Sequence, residues 1–98
     1  MRTFLIIYSS NNNVADLQVR IRSLGDTFFF HQNNCLLSVE NDNLTAQNIY
    51  NRLVSETQLT GVFVTEINTR VSRGYWGTMN RDFWDWLQAH PTDANDSL

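Results

Sequence analysis

The residues of this sequence able to do chemistry are few and scattered. His31 ends the aromatic run Thr27–His31, and His90 follows the last apolar helical pattern; either could act as a general base or a ligand. Neither has a second histidine or a carboxylate at ligand spacing. His31 therefore reads as a structural residue of an edge strand, and His90 as a cation complementing the C-terminal end of a helix dipole. Cys35, the only cysteine, precedes Leu36 and Leu37 and reads as a small core residue rather than a nucleophile. Ser9 and Ser10 with Asn11–Asn13 leave an apolar strand at the start of a helix, where backbone amides can hold a phosphate. The glycines of a phosphate-cradling loop are absent, so a loop and helix cap is expected. Arg70 and Arg73 beside Tyr75 and Trp76 form the strongest surface candidate, because guanidinium groups take phosphates while aromatic rings stack bases. The competing reading has Tyr75 and Trp76 covering a sheet while the arginines pair with Glu66 or Asp82.

Composition narrows the partners. The 98 residues carry a formal charge of -3 and a pI near 5.1, which argues against a broad surface for nucleic acid. All seven cations are arginine. A single cysteine excludes an internal disulfide and a cysteine-based zinc site, and points to a reducing compartment. No basic-then-apolar leader precedes the first strand, and no apolar run approaches the roughly 18 residues of a membrane span. A soluble, cytoplasmic protein without a membrane partner is the expectation.

The elements that must position these residues follow from periodicity. Arg2–Ser9 alternates with both faces apolar, Phe4, Ile6 and Tyr8 on one and Leu5 and Ile7 on the other, which suits a central strand. Val14, Leu17, Ile21 and Leu24 form one helical stripe over Val14–Leu24, with Asn13 as its cap and Gly25 as a left-handed stop. Asp26–Gln32 is a second strand, with Phe28 and Phe30 on one face and Thr27, Phe29 and His31 on the other. Asn33–Asn34 turns the chain into a third strand, Cys35–Glu40. Thr45 caps a helix from Ala46 to about Glu56, striped by Ala46, Ile49, Tyr50, Leu53 and Val54. Gly61–Ile67 is the fourth strand. Asn68–Asn80 is an irregular loop, and a short helix over about Arg81–Ala89 carries Phe83, Trp84, Trp86 and Leu87, too apolar to stay solvated.

The order strand, helix, strand, strand, helix, strand is the split βαβ pattern of a ferredoxin-like α+β domain over residues 1–89, with 90–98 a flexible tail. Strands one and three lie in the centre, two and four at the edges, and both long helices on one face. Apolar residues on the other face then require a cover. An RNA-recognition-motif reading fails on the third strand, where Cys35–Glu40 lacks the basic, glycine and alternating aromatic residues that such a strand presents.

Several short segments carry a resemblance. The first strand ending in Tyr8, the Arg22-Ser23-Leu24-Gly25-Asp26 helix end, the Thr45-Ala46-Gln47 helix start, the strand Val62–Ile67 and the ending Trp84-Asp85-Trp86-Leu87 together resemble small bacterial SinR family proteins. Those are similar in fold to the small ferredoxin-like subunit of the CRISPR spacer-integration complex and to VapD-type ribonuclease toxins. The resemblance covers residues 1–89. It implies a twofold homodimer through the face left bare by the helices, with Trp76, Phe83, Trp84 and Trp86 helping to bury it, and a mobile-element, phage-defence or toxin-antitoxin setting. In the CRISPR subunit an aspartate ends the first strand as a proposed metal ligand; the corresponding residue here is Ser9, a poor sole ligand for a hard cation, and the nearest acidic residue along the chain is Asp16. The leading expectation is accordingly a non-catalytic, homodimeric protein-interaction module without a cofactor, open to a protein partner. The rival is a metal-dependent endoribonuclease using magnesium or manganese with Ser9, Asp16 and His31, and with Arg70 and Arg73 on phosphate. A third expectation is a non-catalytic nucleic-acid-binding protein using Arg70, Arg73, Tyr75 and Trp76.

Overall fold

A four-stranded antiparallel sheet in the order β2-β3-β1-β4 organises the chain. The computed structural model describes residues 1–40, 43–54, 61–67 and 77–90. The elements are β1 (Arg2–Tyr8), α1 (Val14–Arg22), β2 (Asp26–His31), β3 (Asn34–Val39), α2 (Ala46–Val54), β4 (Val62–Ile67) and α3 (Arg81–Ala89). This α+β order is the ferredoxin-like arrangement, with β1 and β3 central. Residues 68–76 and 91–98, and with them Arg70, Arg73, Tyr75 and Trp76, lie outside the described residues.

Alternation on β1 decides which residues meet which layer. Phe4, Ile6 and Tyr8 are 0, 0 and 2 % exposed and join Leu37 and Val39 of β3, Leu17 and Ile21 of α1, and Ile49 and Leu53 of α2 in one core. Burying such side chains contributes about 1.5–3 kcal/mol each against leaving them in water. Both α1 and α2 start on side-chain caps. The Asp16 amide donates to Asn13 Oδ1 at 3.1 Å. At α2 the Asn48 amide donates to Thr45 Oγ1 while the Thr45 amide donates to Asn48 Oδ1, each at 3.1 Å, the reciprocal pairing of a capping box with asparagine in the third position.

Two local expectations are corrected. Gly25 is not left-handed: the only positive φ among the described residues is at Gly61, φ 63°. Glycine is required at position 25 because any Cβ there would fall on the Ser38 carbonyl oxygen and crowd Val39, so it permits close passage of α1's exit over β3. The second correction concerns β2. Register runs Asp26 to Ser38, Thr27 to Leu37 and Phe28 to Leu36, then jumps to His31 opposite Asn34. Phe29 and Phe30 thus share the space opposite Cys35, a β-bulge that breaks the alternation once. His31 comes into the row of Asn34 and Ile7 rather than that of Thr27.

Candidate functional site

The second face of the sheet is built from the residues that alternate with the core. Reading across the strands, its rows are Asp26, Ser38, Thr3 and Ile67; Phe28, Leu36, Leu5 and Thr65; and His31, Asn34, Ile7 and Phe63. α3 crosses part of this face, lying on the same chain's β2. Phe83 meets Phe28 and Phe30 edge-on, with centroids 6.1 and 5.1 Å apart, and Trp86 lies 6.2 Å from Phe28. Such aromatic contacts contribute about 0.5–1.5 kcal/mol each beyond area burial. Leu87 is buried at 4 %, while Arg81 and Asp85 form a solvent-exposed i,i+4 pair on the outer side of the helix. Phe83 and Trp84 also meet edge-on at 5.4 Å.

Beyond α3 the described part of this face is apolar along β1 and uncovered by any other described element. A groove of about 290 Å³ runs along the helix between Leu5, Leu36, Ile67, Met79, Phe83 and Trp84. It leads to Ile7, 42 % exposed, and its β4 register partner Phe63, 60 % exposed. At the opposite end the face turns polar. Thr3 is fully buried and Ser38 is 4 % exposed with its hydroxyl unpartnered. His90 sits above that row: its ring stacks on Trp86 with centroids 4.0 Å apart, and its carbonyl accepts from Thr3 Oγ1 at 3.5 Å. As expected from sequence, His90 follows the helix C-terminus, but its ring reaches across the fold to Asp26.

The residues expected to act as a nuclease centre are occupied locally. Ser9 Oγ accepts from the Asn11 amide, and Asp16 Oδ2 accepts from Arg20 Nε at 3.1 Å. His31 is exposed and meets the Phe30 ring edge-on. All three lie toward one end of the sheet, yet no hydrogen bond or ion pair among the described residues joins them to one another. Among the described residues no group of three histidine, cysteine or acidic side chains could hold a metal ion. Cys35 is fully buried, and burial pushes its thiol up to about 12, against a smaller opposing effect of Arg22; a thiol so raised is not a nucleophile at neutral pH. Burial also raises the Tyr8 phenol, outweighing the Gln18 side chain that favours its anion. Arg22 is spent on packing, its guanidinium 4.6 Å from the centre of the Phe29 ring, within cation–π range.

Sequence reasoning picked out α3's aromatics but missed Phe63 as a surface residue and Asp26 as the partner of His90. The first had a signal in strand alternation, which sets Phe63 on the face opposite its neighbours Val62 and Val64. The second had none, since the two residues lie 64 apart in the chain. No described helix is long and apolar enough to cross a membrane. No family profile, characterised protein or solved structure matches the chain.

Proposed function

We propose that this protein is a non-catalytic interaction module that works as a homodimer through the open part of its second sheet face. The observation that carries this reading is the pair Ile7 and Phe63, side by side on β1 and β4 and 42 and 60 % exposed, continuous through Leu5 with the apolar groove along α3. Contiguous apolar surface of this kind favours protein contact. A second copy is the simplest occupant, since an isologous contact buries both copies of the patch at once and closes on itself. Phe83 and Trp84 border the groove and would flank the contact, with Trp86 behind them. A mobile-element, phage-defence or toxin-antitoxin setting is supported by the family resemblance alone.

Light scattering at micromolar concentration tests the reading. The expected mass is twice the 11.4 kDa of one chain, falling to one chain in Phe63→Glu and Ile7→Glu with circular dichroism unchanged. A monodisperse wild-type monomer overturns it. The same preparation incubated with labelled RNA and DNA in magnesium or manganese is expected to show no cleavage that Ser9→Ala or Asp16→Ala abolishes; such cleavage would replace the module with the endoribonuclease.

A further inference from the structure

Two acceptors face the two ring nitrogens of His90. Nδ1 lies 2.8 Å from the main-chain oxygen of Trp86, and Nε2 lies 3.3 Å from Oδ2 of Asp26. A carbonyl oxygen and an ionised carboxylate can only accept. A neutral imidazole carries one N–H, so in either tautomer one of the contacts sets a nitrogen lone pair against an oxygen lone pair. The imidazolium donates at both. The ring is stacked on the Trp86 indole at 19°, where a cation gains from the π face, and the side chain is only 16 % exposed. Through its carbonyl the same residue accepts from Thr3. One residue thereby ties the end of α3 to β2 by its ring and to β1 by its backbone.

We propose that His90, in its doubly protonated form, is a latch holding the C-terminal end of α3 on the sheet, and that loss of one proton loosens the helix from the aromatic side of β2. Among the described residues the groups around the ring are few. From β2 it meets the Asp26 carboxylate; beneath it β3 and β1 present the hydroxyls of Ser38 and Thr3, which do not titrate in this range. Glu40, after β3, and Arg52 of α2 line a cleft with Asp26. On α3 itself Arg81 and Asp85 pair with each other in solvent, and Asp82 accepts from the Phe83 amide. Asp26 is the described carboxylate that contacts the ring. The latch is made within one chain and stands whether or not the protein is a dimer.

Amide hydrogen exchange over α3 in the full chain, corrected for intrinsic rates, reads the latch directly. Asp26 is 76 % exposed, so the pair is partly screened by water, and loss of the bond is expected to lower protection of the Phe83–Leu87 amides roughly threefold between about pH 5 and 8. His90→Gln is expected to be weakly protected at every pH. Asp26→Asn is expected to be protected at every pH, since an amide can donate to a neutral Nε2 as well as accept from a protonated one. His31→Gln, at the only other histidine, should keep the wild-type fall. Nitrogen NMR of the wild-type rings serves if a variant fails to fold: the His90 ring is expected to carry both protons wherever α3 is protected and one where protection has fallen. A flat wild-type profile, the same fall in His90→Gln, or a His90 ring singly protonated while α3 is still fully protected overturns the proposal.

Discussion

The two faces of the sheet are made by the same four strands yet are finished differently. On the helical face Phe4, Ile6, Leu37, Ile49 and Leu53 are all fully buried, and the packing is mostly aliphatic. On the other face the cover among the described residues is α3, its contacts are aromatic, and Ile7 and Phe63 remain exposed. Close-packed aliphatic side chains from two helices fix a unique arrangement, whereas a few large rings on the single helix α3 leave a surface that can be opened or shared. The closed face carries stability, and the open face is free for contact.

The largest test of this contrast is Ile6→Ala. It removes three carbons from a site with no solvent exposure, and a loss of about 2–5 kcal/mol is expected in urea unfolding; a loss below about 1 kcal/mol would place the stabilising core elsewhere. A second test uses the thiol of the closed face. Folding raises Cys35 from its ordinary 9.0 to about 12, so the folded chain holds this proton more tightly than the unfolded one. Its contribution is complete below about pH 9 and is lost as pH rises through about 12. Tyr8, raised by burial as well, acts with the same sign at alkaline pH. The urea midpoint is expected to fall above about pH 9, less steeply in Cys35→Ala than in wild type; equal slopes would mean that the thiol reaches water. The smallest effect belongs to the open face. Phe63→Ser made in the Ile7→Glu background, where the chain is expected to be monomeric, is expected to change unfolding free energy by no more than about 0.5 kcal/mol, and a larger loss would show that Phe63 is covered within its own chain.

The sheet order and the helical face were legible because their signals are local. Leu17 and Ile21, or Ile49 and Leu53, recur at helical spacing, and Asn13 and Thr45 act as caps within three residues of their targets. The features that were not legible depend on pairs distant in sequence. Gly25 has the chain position of a helix stop, but its purpose is set by the Ser38 carbonyl. The extra residue at Phe29–Phe30 changes no residue type and appears only in register. His90 has a helix-dipole role that any C-terminal histidine would have, while its bond to Asp26 requires the fold to bring α3 to the start of β2. Of the candidate site residues, those on α3 were identifiable by apolar content alone, and those in the Arg70–Trp76 segment lie outside the described residues.

The central place of β1 also constrains the order in which the chain can be assembled during synthesis. β1, apolar on both faces, is made before its partners, which begin only at Asn34 and Val62. Until those residues leave the ribosome the strand has no antiparallel neighbour, and α1, made next, has no sheet to lie on. The fold therefore closes late, through pairings between distant segments, a topology that slows folding relative to helical domains. A pause in translation before β4 would leave the β1 edge of the β2-β3-β1 sheet unpaired and in contact with whatever binds nascent chains.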